Sequence, residues 1–193
     1  MRRVIEFRGA GPAEFTERLE TVIDIYAAAM KPPVDQIAGR KTIMRNHGTY
    51  PHFQCYFAEL RDSSPDGTAA EPRIVGFAYG FRGAPGQWWH DVVWRGLADR
   101  LGQEAADAWM GYAFELAEIH VHPEWHNKGI GRAMITTLCA GRRERSAILS
   151  THDQPTAARH LYAGMGFTDL LTRFVFPGGH EEYAIAGRPL PLT

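Results

Sequence analysis

Cysteine is scarce: Cys55 and Cys139 are the only two in 193 residues. Two thiols are too few for a disulfide framework or a cysteine metal site, so each is expected to be a small buried hydrophobe in a reducing compartment. A basic excess is also missing, with 21 Lys and Arg against 22 Asp and Glu. That balance excludes the electrostatic footprint of a general nucleic-acid binder and points to small-molecule partners. No apolar run approaches membrane length, and the opening Met1-Arg2-Arg3-Val4-Ile5-Glu6 has no apolar signal core. The expectation is cytoplasmic residence with no membrane partner. Gly-x-x-x-x-Gly-Lys-Ser/Thr occurs nowhere, which removes a nucleoside-triphosphatase loop.

What is present is enough apolar residue for one sizeable core, 45% of the chain, arranged in alternating elements without an internal repeat. Val4 to Phe7 reads as a strand. Phe15, Leu19, Val22, Ile23 and Tyr26 mark one helix face ending before Pro32-Pro33, and a second helix runs from Val34 to about Asn46. Phe53 to Leu60 and Ile74 to Phe81 are expected strands, joined by a polar segment whose Ser63-Ser64-Pro65-Asp66-Gly67 is turn chemistry. Phe114 to Val121 is the next strand, Gly131 to Arg143 a helix, Ala147 to Thr151 a buried strand and Ala157 to Met165 a helix. A hairpin over Leu170 to Phe176 and Glu181 to Ala186 closes the chain. This mixture of antiparallel hairpins and βαβ crossovers is an α/β or α+β sheet domain.

Two segments carry chemistry. In Val121-His122-Pro123-Glu124-Trp125-His126-Asn127-Lys128-Gly129-Ile130-Gly131-Arg132, a strand passes a proline break into a glycine-bearing loop that opens a helix. The unpaired amides and positive dipole end of such a helix suit a phosphate or pyrophosphate, and the glycines allow close approach. A dinucleotide fingerprint fits worse, because Met134 stands where its third glycine belongs. Downstream, Pro155-Thr156-Ala157-Ala158-Arg159-His160-Leu161-Tyr162-Ala163-Gly164-Met165-Gly166-Phe167 sets Ala158, Leu161, Tyr162 and Met165 on one helix face, with Gly166 as the stop.

The first segment resembles the acyl-CoA pyrophosphate loop of the GNAT superfamily of N-acyltransferases, and the second resembles that family's Leu-Tyr-x-x-x-Gly-Phe helix. Two departures stand out: His126 where Gln or Arg is usual, and Pro155 where Asn is often found. The resemblance implies a GNAT fold, a central mixed, largely antiparallel sheet flanked by helices, in a single domain over residues 1–193 with an insertion at about 83–111. It implies acetyl-CoA as co-substrate, transfer of an acetyl group to a primary amine of a small-molecule acceptor, and no metal. It assigns the backbone of Ile119 and Val121 to pantetheine and acyl contacts. Residues His126, Asn127, Lys128, Gly129, Ile130, Gly131 and Arg132 are assigned to the pyrophosphate, and Tyr162 to protonating the leaving thiolate.

The base must come from elsewhere, because an ammonium cannot attack a carbonyl until a proton is removed. Strand alternation sets Glu118, His120 and His122 on one face and Glu115 on the other. Glu118 is the first choice as base or ammonium ligand, followed by Glu115 and His120. The insertion holds four of the five tryptophans. Trp89, Val92, Val93 and Leu97 have helical spacing, which fits a helix packed on the sheet; Trp88 and Trp89 equally suit the wall of an acceptor pocket or the interface of a homodimer. Two other classes are open to test. His120, His122 and His126 as metal ligands are disfavoured by Pro123 and by the place of His126 in the loop. A non-catalytic acyl-CoA sensor is allowed by the two departures and opposed by Tyr162 and the acidic strand.

Overall fold

The computed structural model describes residues 2–63 and 71–192, so the turn expected over residues 64–67 lies outside the described residues. Among the described residues seven strands, β1 (Arg2–Ala10), β2 (Gln54–Ser63), β3 (Arg73–Arg82), β4 (Ala113–Val121), β5 (Ser146–His152), β6 (Thr168–Val175) and β7 (Glu182–Pro189), lie in the order β1-β2-β3-β4-β5-β7-β6. The sheet is mixed and largely antiparallel, with β4 and β5 pairing parallel. Among the described residues seven α-helices accompany it: α1 (Pro12–Glu17), α2 (Leu19–Met30), α3 (Val34–His47), α4 (Trp88–Leu101), α5 (Gln103–Met110), α6 (Ile130–Cys139) and α7 (Ala157–Ala163). No helix among the described residues is long and apolar enough to cross a membrane.

The chain divides into two compact units, Met1–Phe81 with Glu118–Leu138, and Arg82–Ala117 with Cys139 onward. In the first, β1, β2 and β3 form an antiparallel meander, and Phe15, Val22, Phe57, Phe77, Tyr79, Met134 and Ile135 are fully buried within it. Burial of side chains this large stabilises by about 1.5–3 kcal/mol each. Phe15 packs on Phe53 and Tyr79 with ring centroids 4.9 and 5.0 Å apart. The helix expected through Phe15 and Tyr26 is broken in two at Arg18, whose φ of −92° and ψ of 9° cap α1 and open α2. Apolar periodicity runs straight through the break, which is why the sequence concealed it.

In the second unit, α4 and α5 cover a core of Val93, Leu97, Ala106, Met110, Ala113, Ile148, Leu171 and Ile185, with Trp89, Trp94 and Trp109 packed against it. Trp89, Val93 and Leu97 therefore lie on the inward face that their helical spacing predicts. Within this unit β4 and β5 pair only from Ala113↔Ser146 to Glu115↔Ile148, although β4 continues through Leu116 and Ala117 and β5 to His152. The helix expected to reach Arg143 stops at Cys139, where Gly141 turns the chain at a φ of 67°.

Candidate active site

The pleat of β4 sets Glu118 and His120 on one face, as alternation requires, and their side chains meet with His120 Nε2 2.5 Å from Glu118 Oε2. The other carboxylate oxygen, Oε1, accepts from Arg40 Nη1 at 3.0 Å. Burial pushes the Glu118 carboxyl up, but the His120 hydrogen bond and the charges of His120, Arg40 and His47 outweigh it and hold it below the usual carboxylate range. A carboxylate only 8% exposed thus stays ionised because both oxygens are engaged.

Arg40 comes from α3, a helix that buries only Met44. Arg40, Met44 and His47 stand at i, i+4 and i+7, so two polar side chains share the inward stripe with one apolar one. The Arg40 guanidinium lies over the Tyr26 ring at 5.3 Å. Burial lowers its pKa, and Glu118 and Tyr26 more than reverse that. His47 Nδ1 is 2.9 Å from the Tyr79 hydroxyl. Burial, helped by Arg40 and opposed by Glu118, pulls His47 down to about 4, so its imidazole is neutral at pH 7. Burial likewise pushes the Tyr79 phenol far up. Tyr26 and Phe77 fix the His120 ring, with centroids at 5.2 and 5.4 Å. Sequence reasoning missed Arg40, His47, Tyr79 and Tyr26; the missing apolar stripe of α3 was the signal that could have found the first two.

The glycine-bearing loop follows in the same unit. A 3-10 turn over Pro123–Trp125 leads to Asn127 at φ 59° and Gly129 at φ 76°, and α6 begins at Ile130. These left-handed residues turn successive amides toward the mouth of the helix, an anion-binding arrangement, and the first-turn amides have no intrahelical acceptor. His126 donates through Nε2 to the Val121 carbonyl at 2.7 Å, so its ring ties the loop to β4. Ile130 is buried, which leaves its backbone for a ligand, whereas Asn127, Lys128, Gly129 and Arg132 are exposed. Lys128 Nζ stands 5.6 Å from the Trp125 ring centroid, and the indole Nε1 of Trp125 is buried with no acceptor among the described residues. Ile119 and Val121 alternate with the Glu118–His120 pair along β4 and are half-buried.

The remaining candidates belong to the second unit. Glu115 is 3% exposed, and its Oε1 has no hydrogen-bond partner among the described residues. Burial, with Asp91 adding repulsion, pushes it up to about 8. Tyr162 sits on α7, whose Thr156 caps the helix by accepting from the Arg159 amide at 3.2 Å. Its ring meets Phe167 edge-on at 5.9 Å, and its carbonyl accepts from the Phe167 amide at 3.0 Å. Trp89 donates Nε1–H to Ser150 at 3.2 Å, while Trp88 is 58% exposed beside Phe176. The three histidines of the metal reading turn to different partners, His120 to Glu118, His122 to the Glu124 amide and His126 to Val121. Among the described residues no three His, Cys, Asp or Glu side chains are grouped to hold a metal.

Comparison with known proteins agrees on one lineage. A family model described as an acetyltransferase (GNAT) domain matches residues 68–169. The GCN5-like protein acetyltransferase Rv2170 of Mycobacterium tuberculosis is 34% identical, over 94% of this chain and 96% of its own. Among solved structures, Arabidopsis thaliana NAA60 in complex with a bisubstrate analogue superposes with a TM-score of 0.62 at 18% identity, covering 97% of this chain and all of that one. The yncA protein of Salmonella typhimurium, solved with acetyl-CoA, gives 0.57 at 16% identity, covering 97% and 95%.

Proposed function

Because the chain belongs to the GNAT family of acetyltransferases, and is thereby an acetyl-CoA-dependent acyltransferase, we propose that it moves the acetyl group to a primary amine with His120 as the base. The observation that carries this reading is the Glu118–His120 pair anchored by Arg40. Donation from His120 Nε2 to Glu118 leaves Nδ1 as the nitrogen that takes a proton, and the carboxylate stabilises the imidazolium that results. Glu118, with both oxygens engaged, orients the base; the sequence ranked these two in the opposite order.

Acetyl-CoA is the donor substrate. The amides from Asn127 to Arg132 receive its pyrophosphate, with Lys128 and Arg132 adding charge, and the backbone of Ile119 and Val121 receives the pantetheine and acyl group. The amine nitrogen bonds the acetyl carbon as its proton passes to His120, the carbon–sulfur bond breaks, and Tyr162 protonates the thiolate. The acceptor is a small cationic amine in the first reading. A protein or peptide amine is the second, favoured by the relative that matches nearly the whole chain, a GCN5-like protein acetyltransferase.

Acetyl transfer should be measured against a polyamine, free amino acids and a lysine peptide. His120→Gln should lower kcat by about 10²–10⁴-fold with acetyl-CoA affinity unchanged, and Tyr162→Phe should lower kcat while sparing binding. Undiminished turnover in His120→Gln removes the base assignment. Acetyl-CoA binding with no acetylated product from any acceptor would leave the sensor reading.

A further inference from the structure

A charged hollow lies within the first unit on residues that the acyl transfer does not use. It has a volume of about 310 Å³, and its wall brings four guanidiniums, Arg8, Arg18, Arg61 and Arg73, against two carboxylates, Glu59 and Glu71. Glu59 is 2% exposed. Its Oε1 is held by Arg8 through Nε at 2.8 Å and Nη2 at 2.7 Å. Its Oε2 is buried without a hydrogen-bond partner among the described residues, and Arg61 Nη2 comes only to 3.7 Å. The pairing of β2 with β3 slips at this point, from Ala58↔Gly76 to Glu59↔Ile74, so a bulge accompanies the buried carboxylate.

The four guanidiniums are not equally committed. Arg8 also pairs with Glu14 at 2.7 Å, and Arg61 with Glu6 at 2.7 Å. Arg73 is 60% exposed and reaches Glu124 only at 3.6 Å. Arg18, at the break between α1 and α2, pairs with no carboxylate among the described residues. An unsatisfied buried acceptor costs free energy until a donor reaches it, and two loosely held guanidiniums favour an anion. A simple anion would face the lone pair of Glu59, and a simple cation would face four arginines. A ligand carrying both charges satisfies both sides.

We infer that this hollow binds a small free α-amino acid, its ammonium donating to Glu59 Oε2 and its carboxylate held by Arg18 and Arg73. L-Glutamate is the probe, because glutarate differs from it only in lacking the ammonium. Calorimetric titration of the full chain should show glutamate binding, with glutarate, which lacks the ammonium, bound at least about tenfold more weakly, a difference of about 1.4 kcal/mol. Glu59→Gln and the exposed Arg18→Ala should each weaken glutamate by a similar factor while acetyl-CoA binds as before. Glutarate binding as tightly as glutamate, unchanged affinity in folded Arg18→Ala, or no binding of any proteinogenic amino acid at millimolar concentration would each overturn the assignment.

Discussion

Glu115 and Glu118 stand three residues apart on β4, and both are buried, at 3% and 8% exposure, yet their carboxyls move in opposite directions. Burial alone acts on both in the same sense, disfavouring the charge. Glu118 has a guanidinium on one oxygen and an imidazole on the other. Glu115 has an Oε1 with no hydrogen-bond partner among the described residues, and the repulsion of Asp91. Partners, not depth, decide which buried acid is an ion at neutral pH. Only the ionised one can hold a histidine in the tautomer that accepts a proton.

The largest effect should come from removing that charge while keeping its shape. Glu118→Gln leaves Arg40 without its counter-ion and His120 with a weaker partner. The Arg40 side chain is 39% exposed, so solvent screens part of the loss. Stability should fall by about 1–3 kcal/mol in denaturant unfolding, and kcat by about 10²-fold or more. Glu115→Gln, the same chemical change three residues away, should cost little in either assay at pH 7. Equal losses in the two variants would erase the distinction.

The neutral site breaks more readily by volume than by charge. A Cβ added to Gly83 would stand 2.2 Å from Glu115 Oε1, 2.9 Å from Cδ and 3.1 Å from Cγ. Glu115 is 3% exposed, so its side chain must shift within the packed interior, and Gly83→Ala should destabilise by about 1–3 kcal/mol through overpacking. Combining it with Glu115→Ala should return most of that loss, because the two side chains claim the same volume. A thermal midpoint for Gly83→Ala equal to that of the parent would show the carboxyl free to move aside.

These contrasts also mark how far the sequence could be read. The strands, the Glu118–His120 face and the loop through Asn127 and Gly129 follow from alternation and glycine placement, which are local. Tyr162 and Leu161 were legible as a helix face in the same way. Arg40 and His47 could be marked only as polar residues where α3 lacks an apolar stripe; their partners were hidden, because Arg40 reaches Glu118 on β4 from 78 positions upstream and His47 reaches Tyr79 on β3 from 32, tertiary contacts that no periodicity encodes. The setting of the Glu115 carboxyl was equally hidden: alternation says which face a side chain takes, and says nothing of whether a partner waits there. The break at Arg18 escaped because apolar spacing does not register a change of backbone angle.

The smallest and finest test is the pH dependence of stability, where Glu115 and His47 oppose each other. Glu115 is raised from 4.5 to about 8 on folding. Between those values the folded protein holds a proton that the unfolded chain has lost, so stability falls as pH rises through the window. His47 is lowered from 6.5 to about 4. Between those values the unfolded chain holds the extra proton, so stability rises with pH up to 6.5. From pH 4.5 to 6.5 the two slopes cancel, and above 6.5 only that of Glu115 remains. Their joint contribution should be flat and then fall by about 2 kcal/mol between pH 6.5 and 8, at about 1.4 kcal/mol per pH unit. Glu115→Gln should remove the fall on the alkaline side. His47→Gln should extend it down to pH 4.5, with Tyr79 keeping a hydrogen-bond partner in the amide. Urea unfolding of the three proteins at half-unit pH intervals measures the difference curves directly. A Glu115→Gln curve parallel to the parent between pH 6.5 and 8 would mean that Glu115 is ionised in the folded state and that the two carboxylates of β4 are alike.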